Sequence, residues 1–593
     1  MLPVARAARS RALAVSRHGT ATISLRTIRP LHSSSHLNSA EAAAAAQPAT
    51  HEAEYAPSLL SEIAARRAKA GKLVAGIAAA SDSDMFKGPQ TGKPKAKRWD
   101  DHLSAESKLR EPCSLKQAAK HLKQPGLISL GGGLPSSELF PLDELNMKVA
   151  MPPDFSEKAT ASHGQHVTIG KYDVRDRDGT YDLSIALNYG QATGSAQMIR
   201  FLTEHTEIVC KPPYADWRVC QTIGSTGALE QALRMFLDKE RGDSVLTEDF
   251  SFSTALETIS PLGVKAFGVP VDDQGLIPEA MDELLSNWDA KARGSRKPHL
   301  LYTVPSGQNP TGATQGLERR QAIYRVAQKH DLFILEDEPY YFLQMQPYTG
   351  RGQPDAPAPS NVEDFVSSLI PTYVSMDVDG RVMRMDSLSK VLVPGSRLGW
   401  IVASEQIVER YQRHAEVASQ GPSGFSQVIV HKLLDETWGH EGYLQWLMNL
   451  RLEYTKKRDA LLAACEDNLP RDLVSWTPPA AGMFVSDLLS PNFSTFFKFP
   501  SNQVSSRQLW FTVDHTKHPS AGTRSLEEIE QEIFDSCIKS GVLVARGSWF
   551  QTEKDAPLTS LHFRATFAAA SPENMNAAIA RFGKAVEDSF GRK

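Results

Sequence analysis

The sequence predicts an α/β fold, a mostly parallel sheet of seven strands between helices, in a chain long enough for more than one lobe. Three observations predict it. Short apolar runs at 219–223, 244–248, 264–269, 299–304, 333–337, 382–386 and 398–403 alternate with helix-like stretches. Polar, chemistry-bearing residues follow several of these runs, at the strand ends where open α/β sheets bind ligands. The 593 residues are 41% apolar, enough to bury a large core.

Taken in order, the run ending at Ile223 leads into Gly224-Ser225-Thr226-Gly227, which opens the helix-like stretch 228–238. A small-residue helix entry of this kind offers backbone N–H groups and two hydroxyls to an anion. Leu300-Leu301-Tyr302-Thr303-Val304 precedes Ser306-Gly307-Gln308-Asn309-Pro310-Thr311-Gly312. Residues 315–330 space Leu317, Ile323, Val326 and Ala327 as a sheet-covering helix does. Phe333-Ile334-Leu335 ends in Glu336-Asp337, with Pro339-Tyr340-Tyr341 after it. Residues 381–386 alternate apolar and polar, and 398–403 read as a more buried strand.

The connection between those last two strands carries Ser387-Leu388-Ser389-Lys390 and then Arg397, behind the turn Pro394-Gly395. A lysine can form a Schiff base with an aldehyde, and two hydroxyls with a guanidinium can grip a phosphate. One small molecule with both groups is pyridoxal phosphate. A surface lysine on a serine-rich turn fits the motif taken alone, but the flanking strands place it where a scaffold aims a loop at a ligand. The pyridine nitrogen of that cofactor needs a carboxylate, for which Asp337 stands at a strand end. Its phenolic oxygen needs donors, and Asn309 and Tyr340 are candidates. A turn or cap role for Asp337 and an ordinary Asn-Pro turn at Asn309 are the structural alternatives. Ser225, Thr226, Ser387, Ser389 and Arg397 are the phosphate candidates.

With these pieces the chain resembles the fold-type I, class I/II aminotransferases, and is most similar to the fungal aromatic-amino-acid and the kynurenine/2-aminoadipate branches. The resemblance covers roughly 100–593 and includes Ser129-Leu130-Gly131-Gly132-Gly133-Leu134-Pro135, Asn309-Pro310-Thr311-Gly312, Asp337-Glu338-Pro339-Tyr340, Ser387-Leu388-Ser389-Lys390, Arg397, Ala481-Gly482-Met483-Phe484 and Leu561-His562-Phe563-Arg564. It implies a pyridoxal 5′-phosphate enzyme working in two half-reactions, with an aromatic amino acid as donor and 2-oxoglutarate as acceptor. It also implies site residues. Arg564 would clamp the substrate α-carboxylate, and Phe252 would stack on the ring. Tyr189 would reach the phosphate across a homodimer interface, Gly133 would sit on a mobile loop beside substrate, and Arg110 would read the substrate side chain. A smaller α+β domain would form from both chain ends, 106–169 and 450–593, around a large domain at 170–449.

Other features bound the answer. The formal charge of −4 gives no hint of nucleic acid, and no apolar run is long enough for a membrane span. Cys113, Cys210, Cys220, Cys465 and Cys537 lack the spacing of a disulfide framework or a zinc site. Residues 1–40 contain Arg6, Arg9, Arg11, Arg17, Arg26 and Arg29 and no acid. That is the composition of a mitochondrial transit segment, against a basic tail on a cytoplasmic protein as the alternative. Losing those six charges would take −4 to −10. Residues 41–105 read as a partly disordered extension with an amphipathic helix within 58–80, and show no helix-turn-helix with a basic face. A lyase on the same fold would share the cofactor residues; a regulator would need a DNA-binding module. Finally, residues 486–509 depart from the family pattern, which resumes at Trp510-Phe511-Thr512-Val513. Their phenylalanines Phe493, Phe496, Phe497 and Phe499 suit a solvated loop poorly, so a retained intron is set against a genuine surface loop.

Overall fold

The computed structural model describes residues 58–485 and 510–592, except 119, 120, 122, 123, 125, 127, 129 and 132. The transit-like segment 1–40, the extension up to 57 and residues 486–509 lie outside the described residues. In chain order the strands are β1 (Glu144–Val149), β2 (Gln165–Gly170), β3 (Trp217–Thr222), β4 (Ser244–Glu248), β5 (Lys265–Val269), β6 (Val271–Asp272), β7 (Gly275–Leu276), β8 (Leu300–Thr303), β9 (Phe333–Asp337), β10 (Val382–Ser387), β11 (Gly399–Ser404), β12 (Val474–Ser475), β13 (Phe484–Val485), β14 (Phe511–Val513), β15 (Ala545–Arg546) and β16 (Leu561–Thr566).

Seven of these form the main sheet, in the order β3-β11-β10-β9-β8-β4-β5. Pairing is parallel from β10 through β9, β8 and β4 to β5; only β11 runs against its neighbours β10 and β3. β4, β8 and β9 are fully buried, which explains their near-continuous apolar runs. Helices Ser225–Phe236 and Leu317–Lys329 cover the sheet through Ala228, Leu229, Ala232, Leu233 and Phe236 in the first and Ile323, Tyr324 and Ala327 in the second. Both use the i, i+3, i+4 spacing of an apolar stripe.

A second core gathers Leu461, Leu462, Cys465, Phe511, Val513, Ile529, Ile533, Leu561, Phe563, Ile579 and Phe582 under the sheet built on β12, β13, β14, β15 and β16. The helix Gly439–Asn468 joins the two cores. Its Tyr443, Leu444 and Leu447 lie in the large one, and its Leu461, Leu462 and Cys465 in the small one. The expected boundary at 449/450 therefore falls within one uninterrupted helix.

Two features of the N-terminal third go beyond the sequence reading. Residues 106–169 contribute no strand to the smaller sheet among the described residues. Their β1–β2 hairpin joins a separate apolar cluster with Tyr181, Leu183, Ala186 and Val428. The extension forms a helix within 58–80, as expected, and the residues after it are packed as well. Ser58 caps the helix Leu59–Ala70 by accepting from the Ser61 N–H, and Gly71 ends it at φ 71°. Arg66 pairs with Glu207, and Arg67 with Glu204 and Asp435. Further on, Ser83, Trp99 and Leu103 are buried against the large domain. Ion pairs and a few large apolar anchors hold a segment that, apart from its helix, reads as irregular by composition alone.

The smaller sheet shows what residues 486–509 interrupt. On β16, Ala565 faces Val485 and Phe563 faces Phe511, both antiparallel. A strand running past β16 without a break needs one residue between those two pairs, opposite Arg564. Trp510 is enough to fill that step. Counted along β16, the two pairings are thus offset by 24 residues, the length of 486–509.

Candidate active site

The C-terminal ends of β8, β9 and β10 open onto a cavity of about 530 Å³, closed on its far side by residues of the smaller domain. It is lined by Ser225, Thr226, Phe252, Asn309, Asp337, Tyr340, Ser387, Ser389, Lys390, Arg397 and Arg564, eleven of the residues singled out from the sequence. Two other cavities, of about 540 and 760 Å³, assemble no comparable set of groups. Chemistry, rather than size, identifies this one.

The anion end is built by two segments. Gly224, at φ 96°, turns the chain from β3 into the helix Ser225–Phe236, whose first N–H groups have no side-chain cap. A Cβ at Gly224 would lie 2.6 Å from Arg397 Nη2. Arg397 itself sits in the left-handed region, at φ 49° and ψ 39°, behind the turn at Pro394. Its Nη1 donates to Ser389 Oγ (3.3 Å) and to the Pro394 carbonyl (3.0 Å). Ser387 Oγ donates to Ser389 Oγ (2.9 Å) and accepts from the Ser389 N–H (3.1 Å). Hydroxyls, a guanidinium and a helix N-terminus converge here, which is the donor set a phosphate requires.

At the other end of the cavity stands Asp337, the last residue of β9. Alternation along the strand sends Glu336 and Glu338 to the opposite face, into a buried network with Arg320, Arg384 and Ser306. Asp337 Oδ2 accepts from Tyr302 Oη at 3.0 Å, while Oδ1 is buried without a hydrogen-bond partner. Burial pushes the carboxyl up to about 7, the Tyr302 hydrogen bond works against that rise, and Asp386 adds to it. A buried carboxylate with one orphaned oxygen suits a cationic ring N–H, whose charge would restore ionisation. The residues present therefore fit pyridoxal phosphate at both its phosphate and its nitrogen.

Lys390 lies between these ends. Burial lowers its pKa, and the Arg564 and Arg397 cations lower it further, which favours the neutral, nucleophilic amine. Arg564 comes from β16 of the smaller domain. Its Nη1 donates to Asn309 Oδ1 at 2.8 Å, and its guanidinium carbon lies 4.8 Å from the Phe550 ring centroid. Burial lowers its pKa as well, with Tyr340 acting in the other direction. Tyr340 is buried and its phenol is pushed up by burial first and Asp337 second, so it stays protonated.

The two domains meet just beside Asn309. Gly307 (φ 57°) and Gly482 (φ 84°) lie back to back, and a Cβ on Gly307 would come 2.5 Å from Gly482 Cα. Only glycine tolerates both the backbone conformation and that approach. The SGQNPTG and AGMF motifs are thus two sides of one contact.

Three expected residues do not line this cavity. Arg110 ion-pairs with Glu106 on the short helix Ala105–Leu109, so it is engaged elsewhere. Gly133 is exposed with open space around it. Tyr189 is 57% exposed, its side chain outside the cavity. Conversely, Leu229, Tyr302, Val304 and Met483 line the cavity and were not singled out. For Tyr302 a signal existed: a phenol in an otherwise apolar strand needs a buried partner. The apolar liners carry no such mark.

Comparison with known proteins agrees with this geometry. The profile of the family aminotransferase class I and II matches residues 186–582. An aromatic amino acid aminotransferase of Schizosaccharomyces pombe is 42% identical over 492 residues, covering 82% of this chain and 98% of that protein. The mitochondrial kynurenine/alpha-aminoadipate aminotransferase of Bos taurus is 30% identical, over 82% of this chain and 99% of its own. Among solved structures, the aminotransferase Aro8 of Candida albicans superposes with a TM-score of 0.75 at 38% identity, covering 84% of this chain and all of that one. The chain belongs to the class I and II aminotransferases, enzymes that depend on pyridoxal 5′-phosphate.

Proposed function

We propose that the chain is an aromatic-amino-acid aminotransferase that passes the α-amino group to 2-oxoglutarate. The observation that supports this most is the meeting, in one cavity, of Lys390, the orphaned Asp337 oxygen, the Ser387–Ser389–Arg397 cluster and Arg564. Bound pyridoxal phosphate supplies an aldehyde carbon for the amine and a ring that accepts electron density. Ser225, Thr226, Ser387, Ser389, Arg397 and the helix N-terminus would hold its phosphate. Asp337 would keep a proton on its ring nitrogen, and Asn309 and Tyr340 would face its phenolic oxygen, with Phe252 against the ring. Arg564, steadied by Asn309 and Phe550, would take the substrate α-carboxylate. That leaves Lys390 free to move a proton from substrate Cα, and burial and two nearby cations favour its neutral, basic form.

The donor class follows from the remaining walls. Leu229, Val304, Met483 and Ala568 present apolar surface, whereas Arg110, the residue expected to read a distal carboxylate, is paired with Glu106 outside the cavity. Relatives named as L-tyrosine:2-oxoglutarate aminotransferases, 36% identical in Tapinella panuoides, point the same way. The Bos taurus relative keeps kynurenine and 2-aminoadipate as the second reading. A donor panel of phenylalanine, tyrosine, tryptophan, kynurenine and 2-aminoadipate, each with 2-oxoglutarate, decides. Higher kcat/KM for the aromatic amino acids supports the proposal, and a clear preference for 2-aminoadipate overturns it. Amino acid added alone should release one oxo acid per site and then stop; continued turnover would indicate a lyase.

The exposure of Tyr189 suits a homodimer in which it reaches the partner's phosphate site. A monomer by sedimentation would contradict that. The arginine-rich, acid-free residues 1–40 support import into the mitochondrial matrix. A reporter fused to them should co-purify with mitochondria.

A further inference from the structure

Asp337 has two oxygens with different fates, and the difference traces to one side chain. Oδ2 accepts the Tyr302 phenol at 3.0 Å, while Oδ1 is buried and unpartnered, and both residues line the cavity. Tyr302 sits on β8 and Asp337 at the end of the adjacent parallel strand β9. Tyr302 is registered with Leu335, so it lies on the Asp337 face one step back along the pleat. Both are fixed by packing: Tyr302 is fully buried and Asp337 is 5% exposed. Among the described residues, the carboxylate that raises the Asp337 pKa, Asp386 on β10, is itself held by both arms of Arg384 at 2.8 and 2.7 Å.

We propose that Tyr302 is a positioning residue for the reaction: its hydroxyl fixes the Asp337 carboxylate so that Oδ1 faces the ring nitrogen, and its hydrogen bond keeps that carboxylate ionised. This rests on the cofactor reading above. Burial holds the Tyr302 phenol well above its ordinary range, so it donates at every working pH. A carboxylate that has lost this donor is a stronger base. The proton shared with the ring nitrogen then moves toward Asp337, and the ring accepts electrons less well.

The test uses the holoenzyme with Tyr302→Phe, which removes one O–H and little volume. The expected result is a fall in kcat of roughly 10- to 100-fold, the range for a buried hydrogen bond to a charged group, with little change in donor KM. The ¹⁵N shift of ring-labelled cofactor should move toward the unprotonated value, a readout that a purely structural role would leave in place. In an Asp337→Asn background, Tyr302→Phe should add almost nothing, because it acts through the carboxylate. Additive losses, or an unmoved ¹⁵N shift, overturn the proposal. If Asp337→Asn alone leaves both rate and ¹⁵N shift unchanged, the ring-nitrogen reading itself has failed, which is a separate result. Should Tyr302→Phe fail to fold, 3,5-difluorotyrosine at 302 keeps the shape and strengthens the donor. The ¹⁵N shift must then move further toward the protonated value, and no movement counts against the proposal.

Discussion

The edge of the seven-stranded sheet and strand β16 of the smaller domain contribute to the same cavity in contrasting ways. The sheet edge delivers Ser225, Asn309, Asp337 and Lys390 from four separate strand ends, each within a short local motif, the last three aimed by strands paired on both sides. β16 delivers Arg564 from the middle of a strand, and its aim depends on the neighbours of that strand and on the Gly307–Gly482 contact. On the proposed reading, the sheet would hold what stays bound, and the smaller domain would hold what must grip and release each substrate. A cofactor site can be built from rigid strand ends, whereas a substrate clamp on a second domain can shift with it.

That division can be broken by mutation. Lys390→Ala should lower turnover about 10³-fold or more, since it removes both the amine that binds the aldehyde and the base at Cα. Borohydride treatment of wild-type holoenzyme should fix the cofactor to Lys390, and a label found elsewhere would remove that residue from its role. Arg564→Gln should reduce kcat/KM by roughly 10²- to 10³-fold, through loss of a charge-assisted carboxylate clamp. Its cofactor absorbance and retention should match wild type. If Arg564→Gln sheds cofactor, the two regions are not separable in this way.

A third prediction sharpens the contrast through pH. Burial raises the Asp337 carboxyl to about 7 from an ordinary 3.8, so in the apoprotein the folded state holds a proton that the unfolded state has lost between those values. Its contribution to stability therefore falls as pH rises through that window, by up to about 1.4 kcal/mol per pH unit. Asp337→Asn cannot titrate. The melting temperature of the variant apoprotein should gain on wild type from pH 4 to 7 and then hold a constant lead. A lead that does not change with pH would show that the carboxyl is not raised. Cofactor binding should erase most of the effect, because a ring N–H next to Oδ1 favours the ionised form.

Much of the sheet edge was legible because the relevant signals are local. An apolar strand followed by a serine- or glycine-rich turn marks a ligand end with no knowledge of the partner strands, and all seven main strands were placed within two residues. Arg564 was reached only through resemblance, because an arginine in a strand carries no mark of what it faces. Arg110 lies outside the cavity for a related reason: its Glu106 partner, four residues back, was as readable as the distant role assigned to it. In the segment 58–104 the helix was legible but the packing of the rest was not, because its anchors, Arg66, Arg67, Trp99 and Leu103, are few and widely spaced. Their partners Glu204, Glu207 and Asp435 lie more than a hundred residues away.

The smallest expected effect concerns the 24 residues at 486–509. β16 has room for one residue between the partners of Val485 and Phe511, and Trp510 already supplies it. Removing 486–509 would join Val485 directly to Trp510 and leave each described pair in register. A slip of one residue would turn Phe511 and Val513 out of the small core, and this deletion avoids it. The deletion should therefore keep kcat/KM within about twofold and leave the melting temperature level or higher, since closing a long excursion between two paired residues costs loop entropy. Transcript sequencing would show whether the mature message contains the segment. Loss of activity on deletion would instead make it a working part of the wall beside Arg564.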